Sequence, residues 1–306
     1  MVKKIFLATP RGFCAGVDRA IEIVEKSLEL YGKPVYVRHK IVHNEYVVKS
    51  LEDKGVVFVE ELDEVPDESV VIFSAHGITP EIREDTEKMG LKAIDATCPL
   101  VTKVHLEAEK YDKEGYLIIL IGHKGHQEVI GTMGYAKMNL IESQEDVNNL
   151  NIENPDKVVY LTQTTLSIDD TEEIVKALKK KFPSIVPKDD ICYATQNRQN
   201  SVKELSKHCD YILVVGSKES SNSNRLVETA RRLNIQSKLI PDKSYLDNHD
   251  LLANIETLGI TSGASVPEIL VEEVIQHIQE QFGQPPVETL EYLVENTNFS
   301  LPKELR

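Results

Sequence analysis

Fifty acidic residues against 35 basic ones give this 306-residue chain a formal charge of −15. That is the wrong sign for general nucleic-acid binding, which needs a basic face, though a locally positive pocket for an anion stays open. The composition is that of an ordinary globular protein, its longest apolar runs (116–122 and 211–216) fall far short of the roughly 20 residues of a membrane helix, and the apolar stretch behind Lys3 and Lys4 is too short for a signal peptide, so a cytoplasmic protein is expected.

In chain order, strands are predicted at 4–8, 34–39, 70–75, 92–96, 116–122, 158–162, 211–216 and 257–262. Amphipathic helices are predicted at 16–31, 80–89, 99–113, 169–182, 194–207, 222–233 and 267–281. Alternation of the two kinds implies parallel sheets with helices on their faces, and such sheets build their sites in the loops at the carboxyl ends of strands. From residue 283 the pattern breaks, so the tail is either a docked extension or partly disordered.

A threefold repeat runs through the chain. His43 follows Cys14 by 29 residues, His126 follows Cys98 by 28, and Ser220 follows Cys192 by 28. A second polar loop comes 62, 66 and 73 residues after the same cysteines, with His76, Thr164 and Ser265. Self-similarity at a near-constant period points to repeated structural units. Three similar α/β units, each offering one cysteine and two polar loops, are therefore expected in place of one doubly wound sheet. The unit boundaries are expected at 14–97, 98–191, and 192–282 joined by 1–13, with 283–306 as a C-terminal extension.

No CxxC pair occurs, which gives no support to zinc ribbons or closely spaced ferredoxin sites. Cys14 and Cys98 each sit between an apolar run and a helix start, where a thiolate is favoured, and Pro99 suits a first helical turn. Cys209, at a strand entrance without a counterpart, reads as a packed core residue. Three thiolates suit few ions. Zinc needs a fourth ligand such as a histidine, and an iron–sulfur cube held by three cysteines keeps one iron open. His43, His76 and His126 fall in matching loops. Together with the hydroxyls and amides of 216–224 and of Ser265 they read as a cage for a compact oxyanion, diphosphate above all, on neutral donors and protonatable histidines. Lys124, Lys218 and Arg225 are the few cations nearby. Glu128 is the carboxylate of the histidine loop. As a general acid it needs a raised pKa, which burial supplies. Gln163 and Thr164 are placed to orient a substrate hydroxyl or a water, and Thr165 and Ser167 to cap the following helix.

These stretches resemble the iron–sulfur hydroxymethylbutenyl diphosphate reductases, which close the non-mevalonate isoprenoid route. The resemblance is carried by "ATPRGFCAGVDRAIEIVE", "HKIVHNEYVV", "FSAHGI", "DATCPLVTKVH", "IGHKGHQEVIGTMG", "LTQTTLSIDDT", "CYATQNRQ", "GSKESSNSNRL" and "GITSGASVPEILV", with no departure at a motif position. It implies a trefoil of three similar α/β domains in pseudo-threefold arrangement around a central [4Fe–4S] cluster held by Cys14, Cys98 and Cys192. It further implies a diphosphate pocket of His43, His76, His126, Ser220, Ser221, Asn222 and Ser265, with Thr164 near the substrate hydroxyl. Glu128 is then the proton donor, His126 and Thr164 its catalytic neighbours, and Thr195 lies close behind the third ligand. Electrons are expected from a small acidic carrier, ferredoxin or flavodoxin, for which the basic run 176–183 is a candidate docking patch. A monomer is expected. The rival readings are a zinc phosphate-ester hydrolase and a non-enzymatic iron–sulfur redox sensor.

Overall fold

The computed structural model describes residues 1–152, 155, 157–247 and 251–306. Its elements run β1 (Lys4–Thr9), α1 (Ala15–Tyr31), β2 (Val35–Arg38), α2 (Glu45–Asp53), β3 (Val56–Val59), β4 (Val70–Phe73), α3 (Pro80–Lys88), β5 (Lys92–Asp95), α4 (Pro99–Lys113), β6 (Leu117–Ile121), α5 (Gln127–Met133), β7 (Met138–Ile141), α6 (Gln144–Asn149) and β8 (Val158–Thr162). They continue with α7 (Ile168–Lys181), α8 (Tyr193–Leu205), β9 (Tyr211–Val215), α9 (Ser221–Arg232), β10 (Gln236–Ile240), α10 (Ser244–Asp247), β11 (Thr257–Ser262), α11 (Glu268–Phe282) and β12 (Val287–Glu291).

The strands form three sheets, ordered β10-β9-β11-β1-β12, β3-β2-β4-β5 and β7-β6-β8. Every strand pairing is parallel, as an α/β reading requires. Strands covered on both faces read as unbroken apolar runs, and β4, β8 and β9 are buried along their whole length. The first sheet has one core on each face. Ile5, Leu213, Ile260 and Val274 build one, and Phe6, Ile212, Leu226 and Cys209 the other. Cys209 packs as expected, and burial pushes its thiol up to about 12.

All eight predicted strands and seven predicted helices are present to within a residue or two at most ends. Four further strands, β3, β7, β10 and β12, were not apparent from the pattern, and each is a sheet edge. An edge strand buries less, so its residues stay mixed, as in the largely exposed "VETLE" of β12. The tail from residue 283 is docked, because β12 pairs with β1 from Ile5↔Val287 to Thr9↔Glu291. Among the described residues no helix is long and apolar enough to cross a membrane.

Two compact units result. One comprises Met1–Ala15, His43–Val47 and Tyr193–Asn298, with the five-stranded sheet; the other comprises Gly16–Val42, Val48–Cys192 and Phe299–Arg306, with the remaining two sheets.

Candidate functional site

The threefold repeat reappears as a repeated hydrogen bond. The amide N–H of Cys14 donates to Ala264 O at 3.2 Å, that of Cys98 to Ala75 O at 3.0 Å, and that of Cys192 to Thr164 O at 3.0 Å. Each cysteine is thereby fastened to a loop carrying a predicted substrate residue, since Ala75 precedes His76 and Ala264 precedes Ser265. Each is also the residue immediately before a helix, α4, α8 or α1. All three are half-buried and outside any disulfide. Thiols at helix starts are the donor chemistry an iron–sulfur group takes, so these residues fit it, while buried Cys209 does not. Among the described residues no three His, Cys, Asp or Glu side chains are grouped as ligands of one metal ion.

In the second unit the acid sits deep. Glu128 opens α5 and is buried to 3% exposure. One carboxylate oxygen accepts the backbone N–H of Thr164 at 2.6 Å and the other its hydroxyl at 2.9 Å. Loss of water raises the Glu128 pKa to about 7; the Thr164 bonds oppose the rise and the charge of Asp190 adds to it. Thr164 therefore links Glu128 to Cys192 through two hydrogen bonds. His126 caps α5, its Nδ1 accepting the N–H of Glu128 at 3.2 Å, so Nε2 carries the ring proton and can donate. Gln163 does not face outward; its Oε1 accepts the His123 N–H and its Nε2 donates to Thr165, both at 3.0 Å. Ser167, rather than Thr165, caps α7.

His76 stands edge-on to His126, ring centres 5.9 Å apart, with Ser74 Oγ 3.2 Å from its Nδ1. The next residue, Gly77, has φ +86°, and a Cβ there would lie 2.6 Å from Cε1 of His105. His105 is buried, stacked on Tyr135 at 4.3 Å, and pushed down to about 4 by burial. The His76 turn thus rests on a fixed imidazole. Gly77→Ala is expected to destabilise the protein by about 2–3 kcal/mol through left-handed strain and overpacking and to raise KM. Urea unfolding and steady-state kinetics check this.

In the first unit, Ser220 caps α9 by accepting the N–H of Ser223, and Ser221 and Asn222 form that helix's first turn. Asn222 is a brace: its Oδ1 accepts the Ala264 N–H at 2.9 Å and its Nδ2 donates to Thr195 Oγ1 at 3.2 Å. Ser265 Oγ donates to the carbonyl of His43 at 3.3 Å. Of the flagged cations, Arg225 pairs with Glu228 at 2.7 Å, while Lys124 and Lys218 are exposed. The structure thus gathers Cys14, His43, Thr195, Ser220, Ser221, Asn222 and Ser265 in one unit, and His76, Cys98, His126, Glu128, Gln163, Thr164 and Cys192 in the other.

Sequence reasoning missed the residues behind these loops. Ser223 is wedged between strand ends, since a Cβ at Gly216 or Gly263 would lie 2.4 or 2.0 Å from its Oγ. Two glycines at the ends of predicted strands, Gly216 closing 211–216 and Gly263 just past 257–262, each opening a polar loop, are the signal that could have found it. The basic run 176–183 lies at the far end of α7 from the Thr164 loop, some 20 Å along a 14-residue helix.

The family model described as "LytB protein" matches residues 5–279. Curated relatives named 4-hydroxy-3-methylbut-2-enyl diphosphate reductase include those of Actinobacillus pleuropneumoniae serotype 7 and Methylococcus capsulatus, each 55% identical over 99% of this chain and 98% of their own length. Among solved structures, the E-1-hydroxy-2-methyl-but-2-enyl-4-diphosphate reductase of Plasmodium falciparum matches with a TM-score of 0.95 at 43% identity, covering 100% of this chain and 97% of that one. A (E)-4-hydroxy-3-methyl-but-2-enyl diphosphate reductase structure matches with a TM-score of 0.66 at 36% identity, over 92% and 100% of the two chains. This chain belongs to the LytB protein family and is an oxidoreductase.

Proposed function

We propose that the protein reduces 4-hydroxy-3-methylbut-2-enyl diphosphate to isopentenyl and dimethylallyl diphosphate in the cytoplasm. The observation that carries the reading is Glu128, a buried acid raised to about 7 and joined through Thr164 to the amide of Cys192. A proton donor fixed that close to a half-buried thiol suits reductive loss of a hydroxyl.

Cys14, Cys98 and Cys192 hold a [4Fe–4S] cluster in this reading, and the cluster supplies electrons and one open Lewis-acidic iron. The unit boundaries at 14–97, 98–191 and 192–282 with 1–13, and the monomeric state, belong to the same proposal. His43, His76, His126, Ser220, Ser221, Asn222 and Ser265 bind the diphosphate by N–H and O–H donation, with His126 Nε2 as one donor. Thr164 and Gln163 orient the hydroxyl. Glu128 gives its proton to the departing oxygen, so the C–O bond breaks and water leaves. Two electrons, delivered by reduced ferredoxin or flavodoxin, and one further proton, relayed by the bound diphosphate, complete the balance at one of two allylic carbons. That choice yields the two isomeric products.

The test is anaerobic purification followed by turnover with dithionite and a viologen mediator. Brown protein that bleaches in air and consumes the hydroxylated substrate is expected. Colourless, zinc-loaded protein overturns the cluster, and brown protein without turnover leaves a redox sensor.

A further inference from the structure

Two arginines stand behind the proposed cluster ligands, and both reach the C-terminal tail. Arg198, on α8, has a side chain fully shut off from solvent. Its Nε and Nη2 donate to Gly12 O at 3.2 and 2.8 Å, and Nη2 also reaches Phe13 O at 3.4 Å. Its Nη1 donates to Ala194 O at 3.0 Å and to Glu295 at 3.1 and 3.2 Å. The guanidinium thus grips the two carbonyls directly ahead of Cys14, with its charge balanced by a carboxylate from the tail. Asn197 adds a 2.9 Å bond to the same carboxylate, and Tyr292 N–H extends the tail's pairing to Thr9 O at 2.9 Å.

Arg19, on α1, repeats the arrangement in the other unit. Its Nη1 donates to Thr97 O, the carbonyl directly ahead of Cys98, at 3.0 Å, and its Nε to Ser300 O at 2.9 Å. Both arginines act on the backbone directly ahead of a cysteine, through the Gly12, Phe13 and Thr97 carbonyls. Burying a guanidinium is unfavourable unless its donors and its charge are matched, and here the tail supplies the matching group.

We propose that the segment 292–306 is a working part of the site, holding Arg198 and Arg19 as positioning residues that fix the backbone ahead of Cys14 and Cys98. The proposal rests on the cluster reading above. It lies beyond the stretch that matches the family model, which ends at residue 279.

The pairing predicts opposite electrostatic signs. A positive charge near the cluster favours its reduced form. Glu295→Gln leaves Arg198 unbalanced and should raise the reduction potential. Arg198→Met leaves the carboxylate unbalanced and should lower it. Arg198→Lys keeps the charge but cannot span the same carbonyls, so the potential should stay near wild type. Iron release to a chelator should quicken roughly tenfold in Arg198→Met and Arg198→Lys, the effect of losing charged hydrogen bonds. Arg19→Met should speed it as well.

The measurements are redox titration by electron paramagnetic resonance and chelation kinetics on the full-length holoprotein. Glu295→Gln and Arg19→Met alter partly buried contacts and keep the test open where Arg198→Met fails to fold. Wild-type protein without iron overturns the proposal together with the cluster reading. Iron-replete wild type, with folded variants that match its potential and release rate, overturns the strap alone.

Discussion

Serine at Cys14, Cys98 or Cys192 should strip the protein of iron and lower turnover by at least about a thousandfold, some 4 kcal/mol of lost transition-state stabilisation. The three cysteines share a position that no other described cysteine has. Each is half-buried, precedes a helix and gives its amide to the loop that carries His76, Thr164 or Ser265. A hydroxyl at that point is a far poorer donor to iron than a thiolate, and nothing nearby replaces it. Cys209→Ser is the internal control. Its side chain belongs to the core cluster that includes Leu205 and Ile212, with a thiol pushed up to about 12, which no iron would find as thiolate. Serine there buries an unmatched hydroxyl and should lower stability by about 1–3 kcal/mol, with iron per chain and turnover unchanged. Iron analysis and activity of the four variants read both halves. Iron loss in the Cys209 variant, or iron retained in any of the other three, reverses the assignment.

The sequence carried the interior of this fold better than its rim. Central strands such as "YLIILI" and "YILVV" announce themselves because both faces are covered. The edge strands β3, β7, β10 and β12 do not, because at least half of their residues are short of full burial, whereas the edge strand β8 is buried along its whole length and is legible. Short helices such as α5 and α6 hid for a related reason: six or seven residues hold too little apolar period to register. The candidate site was legible through spacing. Cysteine-to-loop intervals of 28 and 29 residues reflect one helix and one strand per unit, and the repeat shows again in the amide bonds of Cys14, Cys98 and Cys192 to the second set of loops, at Ala264, Ala75 and Thr164. What spacing could not convey is how side chains back the loops. Asn222, read from its loop as a substrate donor, also braces the site through Ala264 and Thr195. Gln163, read as orienting a substrate hydroxyl or a water, also ties the His123 loop to Thr165. Arg198, Ser223 and His105 lie on helices whose pattern says only that one face is buried, and partner choice is decided by chain segments far away in sequence.

Turnover should fall as pH rises through about 7, and Glu128→Gln should lose about 10²–10⁴-fold in kcat with the cluster and substrate binding retained. A general acid acts from its protonated form. Glu128 is held near 7 by burial, so the acid is present below that value and depleted above it. The groups facing it set the balance: the N–H and hydroxyl of Thr164 favour the carboxylate, whereas burial and the charge of Asp190 disfavour it. Stability carries the same signature with a definite sign. The folded pKa lies above the ordinary 4.5, so Glu128 contributes stability that is fully present below pH 4.5 and lost as pH rises through 7. That amounts to about 3 kcal/mol over the window. Glutamine cannot ionise, yet its Oε1 still accepts from Thr164. The variant should therefore gain on wild type by about that amount between pH 4.5 and pH 7 or above, in unfolding free energies measured at both ends. The two readouts separate the roles of one residue. A carboxylate that only braces Thr164 would give glutamine near-normal turnover with the same stability gain. A proton donor gives the gain and loses the rate, because the proton that makes Glu128 tolerable in the fold is the one the leaving oxygen takes.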